Sequence, residues 1–183
     1  KKLNFNENKK LIFILGGSQG SKPINMHFLN KINFYLQNDY QILWQCGKYD
    51  YNYLFERINN QNIKLIKFIK DMSISYSAAD LIISRAGALA INEITFFGKP
   101  SILIPFPQSA ENHQLYNAKV LESKKGCLVV EQHKLITGKL EVNIENLFNE
   151  KKTLSEISIN SKKSFKAGTT QIIVNEIINH ISC

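Results

Sequence analysis

The apolar positions of this chain follow two rhythms that alternate along its length. Short, mainly apolar runs of strand length fall at 11–15, 41–46, 63–69, 81–84, 101–105 and 127–131, the first of them unbroken. A continuous run bounded by turn residues is what a strand buried on both faces requires. Between these runs the apolar residues are spaced three and four apart, which is the helical period. In 23–37 they are Ile24, Phe28, Leu29, Ile32 and Leu36, with Pro23 suited to a first turn. The same spacing predicts helices over 51–58, over 71–79 with Asp71 as N-cap, over 88–97 stopped by Gly98, and over 111–124 ended by Gly126. The remainder predicts helices over 139–149, 153–165 and 169–181. In the last of these, Ile172, Ile173, Ile177, Ile178 and Ile181 form a stripe expected to cap the domain.

Strict alternation of short buried strands with helices implies the α/β class: a doubly wound parallel sheet of about six strands with helices on both faces. In such sheets a ligand sits beyond the carboxyl ends of the strands, near a topological switch point. Residues 1–10 are polar and aperiodic and read as a linker-like segment, while 11–183 read as one domain. The start lacks a methionine, so the chain is expected to be a piece of something longer.

Composition narrows the class. With 183 residues, 44% of them hydrophobic and 21% charged, the chain is globular and long enough to bury a core. No apolar run approaches the roughly 20 residues of a membrane span, and no secretory signal opens the chain. A cytosolic protein is therefore expected, with surface contact to a membrane left open. The net charge of +8 reads either as attraction to anions or, by preference, as drift in a composition rich in Lys, Asn and Ile. The lysines are scattered, and no basic run is interleaved with aromatics, so nucleic acid is not an expected partner. Cys46, Cys127 and Cys183 form no paired spacing, and His27, His113, His133 and His180 form no metal-binding pattern. No metal site is expected.

The chemistry-bearing residues gather at the carboxyl ends of the predicted strands. Gly16-Gly17-Ser18-Gln19-Gly20 lies directly between the first strand and the first helix. Glycines let backbone approach a ligand closely, and the free N–H groups of a helix start favour an anion. Ser18 adds a hydroxyl donor. No Walker lysine follows, and the end of the second strand, Gln45-Cys46-Gly47-Lys48, lacks the acid of a dinucleotide site. ATP hydrolysis and NAD binding are both disfavoured. A second segment runs from Ser84 through Arg85, Ala86 and Gly87 to Glu93. Gly87 and Ala88 open another helix, and Glu93, in its second turn, is either a partner for a ribose diol or a solvated charge. Arg85 can neutralise a phosphate or brace its loop, and bracing is the preferred role. A third segment, 105–114, holds His113 and Gln114, which can donate to sugar hydroxyls. From the residues alone it is more simply a helix-capping stretch, with Ser109 or Asn112 as the cap. In the fourth, Phe68-Ile69-Lys70-Asp71-Met72, the Ile69 backbone can meet a base edge.

Taken together, in this order and at these strand ends, the four segments resemble the C-terminal half of one family, the bacterial undecaprenyl-diphospho-muramoylpentapeptide N-acetylglucosaminyltransferases. The likeness is close over 11–131 and rests on helical character beyond. It implies the Rossmann-like C-terminal domain of a two-domain, metal-independent GT-B glycosyltransferase that binds UDP-N-acetylglucosamine and needs no cofactor. By the same resemblance, Ser18 contacts the diphosphate within the loop of Gly16, Gly17, Gln19 and Gly20. Ile69 holds the uracil through its backbone. Ala88, Leu89, Ala90, Ile91, Asn92 and Glu93 line the nucleotide, with Glu93 on the ribose, and Gln114 binds the sugar. Arg85, Gly87 and His113 are further candidates. The family often carries Gln-Gln where this chain has His113-Gln114, so the match passes to Gln114 and not to His113.

The family makes the disaccharide lipid precursor of peptidoglycan, in cell wall biogenesis, at the cytoplasmic face of the inner membrane. Its general base and most of its acceptor surface lie in an N-terminal acceptor-binding domain. This chain lacks that domain, so no catalytic residue is expected here, and the isolated half is expected to bind donor with little or no turnover. The partners implied are the N-terminal domain and, through it, the lipid-linked muramoylpentapeptide. Two alternatives stay open: the donor subunit of a naturally split N-acetylglucosaminyltransferase, as in the dolichol pathway, and a non-catalytic UDP-sugar-binding module. A UDP-N-acetylglucosamine 2-epimerase shares the fold, but Asp71 with His113 is a poor catalytic set for it.

Overall fold

Every residue of Leu11–Leu15 is buried, and its side chains alternate between two separate cores. Ile12 and Ile14 join Ile24, Phe28, Trp44 and Leu140 on one face, while Leu11, Phe13 and Leu15 join Tyr76, Ile94 and Leu121 on the other. A strand whose successive side chains point to opposite faces needs apolar cover on both. The computed structural model, which describes residues 3–166, supplies it. Six strands form one sheet: β1 (Leu11–Leu15), β2 (Gln41–Gln45), β3 (Ile63–Ile66), β4 (Leu81–Ser84), β5 (Ser101–Leu103) and β6 (Leu128–Val129). All neighbours pair in parallel, in the order β3-β2-β1-β4-β5-β6.

The order fixes where a ligand fits. The sheet grows from β1 towards β3, then returns to β4 on the other side of β1. Helix α1 (Lys22–Asn30) follows β1 and buries Ile24 and Phe28 in the first core. Two short helices, α2 (Ile32–Gln37) and α3 (Tyr51–Phe55), cover the same face. On the opposite face, α4 (Met72–Ala78) and α5 (Ala88–Phe97) bury Tyr76 and Ile94 in the second core. Because α1 and α5 leave adjacent strands for opposite faces, a crevice opens between their starts, as at the switch point of doubly wound sheets. The remaining helices are α6 (His113–Ser123), α7 (Lys139–Asn149) and α8 (Lys151–Ser164).

Several elements differ from the sequence expectation. The helix predicted over 23–37 breaks at Lys31, whose φ of −104° and ψ of 12° end α1. With that break both His27 Nε2 and Tyr35 Oη reach Glu141 Oε1 on α7, at 2.7 and 3.1 Å. Burial works to raise the Glu141 carboxyl, but the hydrogen bond and charge of His27, its own backbone amide and Tyr35 more than offset this and hold it below the usual carboxylate range. The third strand stops at Ile66 rather than at residue 69, and the fifth at Leu103 rather than at 105, so both release chain into the crevice. The helix predicted from 111 starts at His113, because Glu111 and Asn112 are left-handed, at φ 48° and 55°. Asp71 does cap α4, accepting from the Ser73 amide at 3.0 Å, and Gly98 ends α5 in the left-handed conformation. The segment read as linker-like is tied down: the Asn6 amide donates to Gln41 Oε1 and Gln41 Nε2 donates back to the Asn6 carbonyl. The helix predicted over 169–181 and Cys183 lie outside the described residues.

Candidate functional site

The turn after β1 is shaped by backbone contacts that exclude any side chain. Gly17 and Gly20 have φ of +91° and +86°, which L residues rarely adopt. A Cβ on Gly20 would fall 2.0 Å from the Cys46 carbonyl oxygen, and one on Gly47 would fall 2.0 Å from that of Gln19. The turns after β1 and β2 are thus pressed together, glycine against backbone. Ser21 is the N-cap of α1 yet caps nothing with its side chain, because its hydroxyl accepts from Arg85 Nη2 at 2.7 Å. Pro23 has no N–H, so in the first turn of α1 it is the Lys22 and Ile24 amides that keep their donors for an anion.

Arg85 follows β4 and is 8% exposed. Beside Ser21 it donates to the carbonyls of Ile104 and Pro105, both at 3.1 Å, and to Gln132 Oε1 at 2.6 Å. All four acceptors are neutral. Burial lowers its pKa to about 10, which still leaves it cationic near neutral pH. Bracing is thus one role of Arg85, and it lends its uncancelled charge to the cleft it lines.

Gln114, in the first turn of α6, has its orientation fixed by the backbone. Its Oε1 accepts from the Ala86 amide at 3.2 Å and from the Phe106 amide at 3.0 Å. The free half of this amide is the NH2, so Gln114 offers the cleft a donor. The helix start is held by Ser109, whose hydroxyl accepts from the Gln114 amide at 3.3 Å, so Ser109 rather than Asn112 does the capping. His113 is engaged elsewhere: its Nδ1 lies 2.7 Å from the Ala110 carbonyl, and its side chain is not on the cleft wall.

These groups meet in one cleft of about 840 Å³. It is lined by the turn residues Gly16, Gly17, Ser18, Gln19 and Gly20, by Phe68, Ile69 and Met72 from the segment after β3, and by Arg85, Gly87, Leu89, Ala90, Glu93 and Gln114. Helix α5 is divided between two surfaces. Leu89, Ala90 and Glu93 face the cleft, whereas Ala88, Ile91 and Asn92 line a second hollow of about 430 Å³ with Tyr116 and Val120 of α6. The 3.6-residue period separates these sets, so of the six residues from 88 to 93 it is Leu89, Ala90 and Glu93 that line the cleft. Glu93 is not a solvated charge, since its Oε2 accepts from Tyr76 Oη at 2.9 Å. Burial beside Glu93 pushes the Tyr76 phenol well above its ordinary pKa, so it stays a donor. The second oxygen of Glu93 remains for a ligand.

Ile69 departs from the expectation in one respect. Its amide donates to Gln45 Oε1 at 2.8 Å, which leaves its carbonyl as the backbone group for a base. Sequence reasoning missed Gln45, Gly47, Tyr76 and Ser21. Gln45 and Gly47 were read only for the acid they lack. A glycine straight after a strand at the ligand end of the sheet was the available signal for Gly47; nothing local marks Tyr76.

A six-stranded parallel sheet with a cleft at the switch point between β1 and β4 defines a Rossmann-like domain of the GT-B type. The particular family follows from comparison with known proteins. The profile of the glycosyltransferase family 28 C-terminal domain matches residues 11–172, and the chain belongs to that family. It is 37% identical over 171 residues to the UDP-N-acetylglucosamine–N-acetylmuramyl-(pentapeptide) pyrophosphoryl-undecaprenol N-acetylglucosamine transferase of Flavobacterium psychrophilum, covering 93% of this chain and 46% of that protein. The enzyme of the same name from Caldicellulosiruptor saccharolyticus is 38% identical over 174 residues, covering 91% of this chain and 46% of its own length. The crystal structure of Acinetobacter baumannii MurG superposes with a TM-score of 0.80 at 28% identity, covering 96% of this chain and 51% of that one. The chain thus spans about half the length of the relatives it matches.

Proposed function

We propose that this chain binds the donor UDP-N-acetylglucosamine and, joined to an acceptor-binding N-terminal domain, transfers N-acetylglucosamine to the undecaprenyl-diphospho-muramoylpentapeptide. The observation that carries the reading is that one cleft brings together a group for each part of the donor: the Ile69 carbonyl for the base, Glu93 for the ribose diol, the glycine turn with the start of α1 for the diphosphate, and the Gln114 donor for the sugar. The relatives' names, which specify this donor and acceptor, support it.

The chemistry follows from the charges. An acceptor hydroxyl attacks the anomeric carbon, a new C–O bond forms, and the bond to the diphosphate breaks. The hydroxyl proton passes to a base on the partner domain, and UDP leaves with the bond's electron pair. The growing negative charge meets the first-turn amides of α1 and the Ser18 hydroxyl as donors, and the braced Arg85 guanidinium adds fixed positive charge beside them. The full protein works at the cytoplasmic membrane face, where a lipid-linked acceptor is held. No helix among the described residues is long and apolar enough to cross a membrane.

Isothermal calorimetry with UDP, UDP-N-acetylglucosamine and NADH tests the reading. Binding of the first two and not of NADH is expected, with no transfer activity from this chain alone. Tight NADH binding would overturn the donor assignment. A robust transferase rate without the other half would remove the need for a partner base.

A further inference from the structure

Gln45 closes β2 at its carboxyl end, is 2% exposed and borders the cleft. Both halves of its amide are used, by segments far apart in the chain. Nε2 donates to the Gly17 carbonyl at 3.1 Å, and Oε1 accepts from the Ile69 amide at 2.8 Å. A buried amide satisfied on both sides costs little to keep and much to disturb. The Gly17 carbonyl also accepts from the Gly20 amide at 3.2 Å. Its oxygen, which would repel a diphosphate, is thus tied to two donors, one of them the Gly20 amide of the turn itself. At the other end, the bond to Ile69 fixes the segment between β3 and α4 and leaves an acceptor for the base. An acceptor there matches the N3–H of uracil and opposes the N3 lone pair of cytosine.

We propose that Gln45 is a positioning residue that couples base recognition to diphosphate recognition, by holding the Ile69 segment and the glycine turn in one register. This rests on the donor reading given above. With Gln45 in place, each end of the nucleotide finds a site that the other end's segment has already set. Without it, the two segments move independently and both lose selectivity.

The test uses Gln45→Met, close in size but unable to bridge, and Gln45→Glu, which can still accept from Ile69 but cannot donate to Gly17. Calorimetry on the 183-residue chain reads two ratios for each protein: UDP against CDP, and UDP against uridine. Thermal melts establish that each variant folds. In Gln45→Met both ratios are expected to fall, each by roughly tenfold for the lost hydrogen bond. In Gln45→Glu the bond to Gly17 is lost and the common register with it, so the preference for UDP over CDP is also expected to fall although the Ile69 bond is kept; an unchanged preference would mean two separate local contacts and overturn the coupling. A folded Gln45→Met with either ratio at the wild-type value overturns the coupling, since a residue that only supports the fold lowers all three affinities alike. Failure of the wild-type chain to bind UDP overturns the donor reading, and this proposal with it.

Discussion

At the β1–β2 end of the cleft the polar groups are backbone amides, held by glycine contacts that admit no side chain. At the β5 end the polar group is one amide side chain, Gln114, on a loop that passes through left-handed Glu111 and Asn112. The first end owes its shape to what is missing, a Cβ at Gly20 and at Gly47. The second owes it to what is present, a side chain oriented by the Ala86 and Phe106 amides. The difference matches what each end would read. Backbone amides offer charge stabilisation that any diphosphate can use. A side chain can be exchanged, so under the proposed function it is where the identity of a sugar would be set. The glycine end should therefore tolerate almost no substitution, and the Gln114 end should trade specificity without losing the fold.

The largest effect tests the glycine end. Gly20→Ala puts a Cβ against the Cys46 carbonyl at a φ of +86°. It should lower stability by about 3 kcal/mol or more in urea melts and abolish UDP binding. Gly87→Ala makes the contrast. A Cβ there meets nothing within 4 Å, so the melt should shift by less than about 0.5 kcal/mol. Equal midpoints for the two variants would break the comparison.

At the other end, Gln114→Glu keeps the acceptor for the Ala86 and Phe106 amides and removes the donor. UDP-N-acetylglucosamine should bind roughly tenfold more weakly, while UDP loses less than about threefold. A parallel loss for both ligands, measured by calorimetry, would place Gln114 at the diphosphate instead of the sugar.

The smallest effect concerns the group between the two ends. Tyr76→Phe removes the donor to Glu93 Oε2 and should cost about 1 kcal/mol of stability. If Glu93 holds the ribose diol, the preference for UDP over its 2′-deoxy form should shrink by a few-fold. An unchanged preference would mean that α5 packing alone positions Glu93.

The sequence by itself determined the class of the fold and the identity of the turn. Period and run length are local properties, and the apolar run Leu11–Leu15 followed by glycines needs no distant contact to be read as a buried strand and a ligand turn. The same is true of the Asp71 cap and the Gly98 stop, each set by chemistry within a few residues. Only the tertiary structure decided which faces of these elements meet. It turned Leu89, Ala90 and Glu93 towards the cleft and Ala88, Ile91 and Asn92 away, and it shortened the third strand so that the Ile69 amide could reach Gln45. Gln45 joins Gly17 and Ile69 across 28 and 24 residues of chain, and Gly47 fits against Gln19 only because β1 and β2 are neighbours in the sheet. Such pairings depend on strand order and on the depth of the turns, which parallel pairing sets through contacts distant in sequence. No local pattern of residues carries that information.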